Sequence, residues 1–172
     1  MATHASDLAV ALTALDAESE VIGAAGRRRL PLSDLYRLPG GAPERDTTLA
    51  NNDLIASIQV ADAARFAARS TYLKVRDRAS FEFAVVSVAA ALRIENGVIV
   101  EARLAAGSVA PVPWRLHSSE RALAGRAADA EAFAAAADRA IEGAQPLDHN
   151  GFKIGLLRNA VVRALQTIGG TL

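Results

Sequence analysis

The feature that most constrains the fold is a pair of apolar stretches separated by three residues. Residues 81–94 and residues 98–104 are rich in Val, Ile and Ala, and Glu95-Asn96-Gly97 lies between them. Apolar runs on either side of an Asn-Gly sequence predict a β-hairpin. Together with a further strand at residues 71–76, they predict a three-stranded antiparallel sheet in the second half of the chain.

The sequence also predicts a register for this hairpin. A two-residue turn at Asn96-Gly97 would place Arg93 opposite Val100 and mix the two faces. A three-residue loop, Glu95-Asn96-Gly97, gives apolar partners throughout. These partners are Ile94–Val98, Leu92–Val100, Ala90–Ala102 and Val88–Leu104. We therefore predict the three-residue loop, with Gly97 in the left-handed conformation.

The remaining elements follow from helical and strand periodicity. Ser6 is expected to cap a first helix, whose apolar face would be Leu8, Ala11, Leu12 and Leu15. Further strands are predicted at residues 19–24, 28–32 and 54–60, a helical turn at 33–36, a joint at 61–68, and helices at 118–124, 129–142 and 150–168. Because Pro111 and Pro113 are expected to end the sheet, residues from 70 onward predict three antiparallel strands packed with three helices, an α+β fold.

Charge and cysteine content exclude several classes of protein. The 19 basic residues balance the 19 acidic ones, which argues against a nucleic-acid or anionic-membrane binder. The absence of cysteine removes disulfides, thiolate nucleophiles and thiolate metal sites. No apolar run is long enough to span a bilayer and no secretory signal is present, so a cytoplasmic location is expected.

The sequence offers no catalytic constellation and no metal site. His4, His117 and His149 lie on three separate segments without metal-ligand spacing, and no nucleophile or phosphate-loop motif occurs. Ser6-Asp7 at a helix N-terminus could hold a polar ligand, although an ordinary N-cap is the commoner explanation. Lys74 in mid-strand could face a ligand, although such a lysine more often covers a sheet face and reaches water.

The order of several segments resembles a known family. The segments are Thr3–Ala9, Arg37–Gly40, Pro43–Thr47, Asn52–Ile55, Tyr72–Ser80, Val109–Arg115, His149–Lys153 and Arg163–Leu165. Together they look like the flavoprotein subunit of molybdopterin dehydrogenases, the family of xanthine dehydrogenase, bacterial aldehyde oxidoreductases and carbon monoxide dehydrogenase. The resemblance covers essentially the whole chain.

The resemblance implies a domain organisation. Residues 1–65 would be the C-terminal remnant of the second FAD-binding subdomain, and residues 66–172 the C-terminal α+β domain of the subunit. The family's glycine-rich stretch that wraps the FAD pyrophosphate has no counterpart in this sequence. The FAD site is therefore expected to be incomplete in this chain.

The resemblance also implies four contacts with FAD. Ser6 and Asp7 match family residues that contact the cofactor, and Ile55 or its neighbour Leu54 matches an apolar contact near the flavin. Lys74 matches a lysine beside the isoalloxazine ring, where a cation stabilises the reduced, anionic flavin. No residue of the chain is expected to oxidise a substrate.

The implied function is electron transfer within an oxidoreductase. Electrons would pass from iron–sulfur clusters through FAD to an acceptor, with molybdopterin and the clusters held only in partner subunits. The expected partners are a molybdopterin-binding large subunit and an iron–sulfur small subunit. The chain would be either a fragment or half of a split protein, and in the second case a separate N-terminal FAD-binding half would be a further partner. The alternative is a docking domain that assembles those subunits without holding flavin. The chain alone is not expected to be an active enzyme.

Overall fold

The computed structural model describes residues 3–170 and contains two antiparallel sheets and five helices. The strands are β1 (Glu18–Gly23), β2 (Gly26–Pro31), β3 (Leu54–Gln59), β4 (Ser70–Val75), β5 (Val86–Glu95), β6 (Val98–Gly107) and β7 (Trp114–Arg115). The helices are α1 (Asp7–Ala14), α2 (Leu32–Leu35), α3 (His117–Leu123), α4 (Ala130–Ala140) and α5 (Phe152–Gly169), with a 3₁₀ turn at Ala63–Phe66. Within residues 3–170, no helix is both long enough and apolar enough to cross a membrane.

The first sheet has the strand order β2-β1-β3, and its two edges differ in chemistry. The β2 edge carries three consecutive arginines, Arg27 to Arg29, whereas β3 carries no charged residue. One face of the sheet is polar, because Glu20 accepts from Arg27 at 3.1 Å and from Ser57 at 3.2 Å. The opposite face buries Val21 completely.

The second sheet has the order β4-β5-β6-β7 and supports the main core. Alternate residues of β5, such as Val88 and Leu92, face helices α3, α4 and α5, where Phe133 and Leu165 are fully buried. The expected α+β class is confirmed. The sheet also has a fourth strand beyond the three expected, since β7 pairs with β6. Pro111 and Pro113 precede this two-residue strand, so they remove no hydrogen-bond donor from it.

The predicted register of the hairpin is wrong. The turn has only two residues, Asn96 and Gly97, both with positive φ (50° and 79°), as a type I′ turn requires. Glu95 pairs with Val98, and a bulge then shifts the pairing so that Arg93 lies opposite Glu101. The bulge removes the mixed pairing of apolar and charged residues that a two-residue turn would otherwise produce. In addition, β5 begins five residues later than predicted, at Val86.

The predicted apolar face of α1 is also wrong. Ser6 caps the helix as expected, its Oγ accepting from the backbone N–H of Ala9 at 3.2 Å. The buried residues, however, are Ala9, Val10, Thr13 and Ala14, whereas Leu8 is 65% exposed. The helix packs on the second sheet against small residues, where a compact face fits better than leucines. The domain boundary between residues 65 and 66 stays a prediction. Helix α1 lies before this boundary in the sequence, yet it packs on the second sheet, which lies after it.

Candidate functional site

The N-terminus of α1 meets strand β4 in a cluster of three polar side chains. Asp7 accepts one hydrogen bond from the Tyr72 hydroxyl at 2.9 Å and another from the Lys74 ammonium at 2.8 Å. Tyr72 and Lys74 are two residues apart in β4 and therefore point to the same face of the second sheet. Leu73 and Val75 point to the other face and pack against the core. The fold thus brings together groups that lie more than sixty positions apart in sequence.

The charges in this cluster stabilise one another. Burial tends to raise the pKa of Asp7, but hydrogen bonds from Lys74 and Tyr72, and the charges of Lys74 and Arg76, outweigh it, so this pKa lies below its usual value. Burial, reinforced by the hydrogen bond to Asp7, raises the pKa of the Tyr72 hydroxyl. At neutral pH, Asp7 is therefore an anion and Tyr72 a neutral donor.

The cluster remains accessible from solvent. The side chain of Asp7 is 48% exposed and that of Lys74 is 23% exposed, so a ligand can approach both groups. The helix N-terminus adds backbone N–H groups with partial positive charge beside them. Ser6 Oγ lies at the same end of the helix, next to Asp7 in the chain, in its capping position. The arrangement suits a ligand that is polar and becomes anionic.

Leu54 and Ile55 lie on a different sheet from the polar cluster. They open β3 and pair with Ile22 and Val21 of β1. Leu54 is 64% exposed and Ile55 is 40% exposed. Because neighbouring residues of a strand point to opposite faces, Ile55 shares a face with buried Val21 and Leu54 does not. The structure brings Ser6, Asp7 and Lys74 together, while the role of Leu54 or Ile55 as a flavin contact stays a prediction.

Two residues that act on the carboxylate of Asp7 were not among the predicted site residues. Tyr72 holds one carboxylate oxygen of Asp7, and Arg76 contributes positive charge to the same carboxylate. Arg76 also donates to the carbonyl oxygen of Ser80 at 3.0 Å, which fixes the start of the β4–β5 loop. The alternation of β4, which the sequence shows, places both residues on the side of Lys74. This alternation is the sequence signal from which both residues could have been predicted.

A second polar cluster joins the other end of α1 to the second sheet. Arg115, with a side chain only 9% exposed, donates to the backbone carbonyl of Thr13 at 2.6 Å and forms ion pairs with Asp16 and Glu120. Its donors are thus occupied by groups of this chain, which indicates a structural role. Within residues 3–170, no three His, Cys, Asp or Glu side chains are grouped so as to hold a metal ion.

Comparisons with known families cover almost all of the chain. Residues 71–168 match the model described as the CO dehydrogenase flavoprotein C-terminal domain. Residues 1–61 match the model described as the FAD binding domain in molybdopterin dehydrogenase. The chain belongs to the CO dehydrogenase flavoprotein C-terminal domain family. The resemblance to the flavoprotein subunits of molybdopterin dehydrogenases is therefore confirmed.

Individual relatives of this CO dehydrogenase flavoprotein family member agree with the assignment. The aldehyde oxidoreductase FAD-binding subunit PaoB of Escherichia coli is 36% identical over 166 residues, which are 96% of this chain and 48% of that protein. The glyceraldehyde dehydrogenase medium chain of Sulfolobus acidocaldarius is 30% identical over 125 residues, 73% of this chain and 42% of that protein. The chain thus spans about half the length of the curated relatives it matches.

A solved structure shows the same fold. The carbon monoxide dehydrogenase of Hydrogenophaga pseudoflava, in a form that lacks the Mo-pyranopterin moiety of its cofactor, superposes with a TM-score of 0.81. The two chains are 29% identical, and the match covers 95% of this chain and 59% of the other. The α+β architecture of both sheets therefore belongs to a flavoprotein fold.

Proposed function

We propose that the chain supplies one wall of an FAD site that carries electrons within a molybdenum-containing oxidoreductase. The observation that carries this proposal is the Asp7 carboxylate held between Tyr72 and Lys74 at the open N-terminus of α1. The family assignment supports it, because residues 1–61 match an FAD-binding model. The named relatives include an aldehyde oxidoreductase FAD-binding subunit.

The donor set of this cluster fits a flavin. An isoalloxazine ring has carbonyl and ring-nitrogen acceptors along one edge and gains negative charge when it is reduced. Lys74 offers an ammonium group, and the α1 N-terminus offers backbone N–H groups. Ile55 or its neighbour Leu54 offers exposed apolar surface of the kind that packs against a flat ring. The fit concerns the ring, since no glycine-rich phosphate-binding stretch is recognised in this sequence.

The residues of the chain have distinct roles in this site. When bound, FAD supplies the group that accepts electrons and passes them on. Lys74 places positive charge beside the ring edge, where it favours the anionic form over the neutral one. Asp7 restricts the position of the Lys74 ammonium, and Tyr72 in turn orients Asp7. Ser6 stabilises the first turn of α1, on which Asp7 stands.

The whole complex would contain other polypeptides. We propose that this chain works with a molybdopterin-binding large subunit and an iron–sulfur small subunit. Electrons would then arrive from the iron–sulfur clusters and leave to an acceptor. The match of residues 1–61 to an FAD-binding model, and of residues 71–168 to a CO dehydrogenase flavoprotein model, supports a place for this chain in such a complex.

A flavin titration tests the proposal. Quenching of FAD fluorescence by the purified chain should be saturable. Lys74→Met should weaken binding by at least about tenfold, since a charge-assisted hydrogen bond contributes about 1.5–3 kcal/mol. Riboflavin should bind about as well as FAD, because the proposed contacts are to the ring. Lys153→Met is the matched control, since Lys153 is the only other lysine and donates to the Ser108 carbonyl instead of to Asp7. Absence of saturable binding of either flavin, or equal weakening by both substitutions, would contradict the proposal.

The second candidate function is docking without flavin. Four aromatic side chains are exposed, as expected of a surface covered in an assembly. They are Phe81, Phe83, Trp114 and Phe152. Purified chain with a flavin absorbance band near unit stoichiometry would contradict the docking function. Colourless chain that co-purifies with molybdopterin and iron–sulfur subunits would support it and count against the first proposal.

A further inference from the structure

Helix α1 rests on a floor of small side chains on the face of the second sheet that is opposite the main core. Directly opposed residues form two rows across this face, Lys74–Ser87–Gly107 and Tyr72–Ala89–Ala105. Val10 and Ala14 of α1 pack against the two alanines, with Tyr72 at the edge of the cluster. The rows place large side chains on β4 and only small ones on β5 and β6. The helix can therefore lie close to the sheet while its N-terminus reaches the large side chains of β4.

The approach of α1 to the sheet is tightest at Gly107. A Cβ atom built on Gly107 would lie 2.7 Å from Cγ2 of Val10 and would also collide with Oγ of Ser87. The φ angle of Gly107 is not in the left-handed region, so the backbone conformation alone does not require glycine here. The absence of a side chain is needed for space, which is the other use of glycine in folded proteins.

Val10 and Asp7 are linked through the helix. They lie three residues apart in α1, hence on neighbouring positions of one helix face. A shift that moves Val10 away from the sheet therefore moves Asp7 with it. The two hydrogen bonds of Asp7, at 2.8 and 2.9 Å, weaken when the distances grow by more than a few tenths of an ångström.

We propose that Gly107 is a positioning residue of the candidate flavin site. Because Gly107 has no side chain, α1 lies close enough to the sheet for Asp7 to reach Tyr72 and Lys74. The inference rests on the proposed function only for the identity of the ligand. The dependence of the Asp7 contacts on Gly107 is a property of α1 and the sheet themselves. Gly107 lies on β6, two strands away from Lys74 in the sheet.

The substitution Gly107→Ala tests this role. The measurement is the pKa of Asp7, followed by NMR of its carboxyl carbon in the whole chain. In the wild type, Lys74 and Tyr72 hold this pKa below its usual value against the opposing effect of burial. In Gly107→Ala it should rise toward the usual value because the helix is lifted. The affinity for FAD should fall about tenfold, as for loss of the Lys74 contact.

Two glycine substitutions in α5 serve as controls. Gly155→Ala adds a methyl group where no atom lies within 4 Å, and should leave the pKa of Asp7 unchanged. Gly169→Ala adds one 2.7 Å from Cε2 of the buried Phe133, so it introduces strain far from α1. A merely structural effect would appear in Gly169→Ala as well. If that variant shifts the pKa of Asp7 as Gly107→Ala does, the positioning role is wrong.

A compensating variant keeps the test decisive if Gly107→Ala does not fold. In Val10→Ala/Ser87→Ala/Gly107→Ala both colliding atoms, Cγ2 of Val10 and Oγ of Ser87, are gone, and the remaining Cβ of residue 10 lies at 3.7 Å, an ordinary contact. This variant should fold and restore the low pKa of Asp7. A folded Gly107→Ala protein with an unchanged Asp7 pKa, or a triple variant that also fails to fold, would overturn the inference. If the pKa shifts as expected but no flavin binds the wild type, the proposed function fails and the positioning role stands.

Discussion

The carboxylate of Asp7 is the residue-scale feature on which the candidate site depends. It joins the first segment of the chain to β4 through two hydrogen bonds, from Tyr72 and Lys74. Because its pKa is lowered in the folded protein, the charged form of Asp7 contributes to stability as well as to the site. The contribution is modest, since the Asp7 side chain is 48% exposed and solvent screens the ion pair.

This contribution should depend on pH in a definite direction. A carboxyl group whose pKa is lower in the folded than in the unfolded state stabilises the protein above the unfolded pKa. The stabilisation is lost as pH falls through the folded value. We therefore expect Asp7→Asn to be less stable than the wild type by at most about 1 kcal/mol at neutral pH. The difference should disappear in acid, as measured by urea unfolding.

The control for this experiment is Asp148→Asn, which removes an exposed carboxylate from the loop before α5. It should leave the free energy of unfolding nearly unchanged at neutral pH, because surface substitutions away from specific contacts have small effects. An Asp7→Asn penalty that persists undiminished in acid would show that the ion pair is not its cause.

Sequence reasoning located part of this site and missed part of it, for physical reasons. The alternation of β4 places Tyr72, Lys74 and Arg76 on one side, and that pattern is visible in the sequence. The family resemblance places Asp7 in the same site as Lys74, but their direct contact is not visible in the sequence, because Asp7 reaches β4 only through the way α1 packs on the sheet. That packing depends on the missing side chain of Gly107, a three-dimensional fit that periodicity does not encode.

At the scale of elements, the β5–β6 hairpin shows how one backbone feature alters a whole register. The existence of the hairpin and both of its strands followed from apolar runs around Asn96-Gly97. The register did not follow, because a ladder without a bulge pairs equal numbers of residues on both strands. One extra residue on β6 forms a bulge, which lets the favoured Asn-Gly turn coexist with Arg93 opposite Glu101. These two residues also form an ion pair at 3.6 Å.

A Gly→Ala substitution should have opposite effects on stability in the turn of this hairpin and in helix α5. Gly97 has φ of 79° with no atom near its missing Cβ, so Gly97→Ala should destabilise the protein by about 1–2 kcal/mol through backbone strain alone. Gly155 lies in helix α5, also with open space around it, so Gly155→Ala should stabilise by up to about 1 kcal/mol. Thermal and urea unfolding measure both. A stabilising Gly97→Ala would contradict the two-residue turn.

At the scale of the whole molecule, the two sheets differ in how they are stabilised. Within residues 3–170, both clusters of buried apolar side chains are built on the second sheet, and only α1 joins them from the first part of the chain. Polar links connect the parts as well. Arg103 pairs with Glu101 at 2.7 Å and with Asp16 at 3.2 Å, which ties the end of α1 to β6. Strands β1, β2 and β3 lie outside both clusters.

This difference predicts unequal protection of backbone amides from hydrogen exchange. Local opening has a low free energy where few apolar contacts support the hydrogen bonds. The amides of β1 and β3 should therefore exchange faster than those of β5, while α1 should exchange at rates similar to the second sheet on which it packs. Strand β4 is the internal control, since it is an edge strand of six residues, as β3 is. If β4 exchanges as fast as β3, edge position explains the result, whereas uniform protection of both sheets would show that the first sheet is stable in this chain without further contacts.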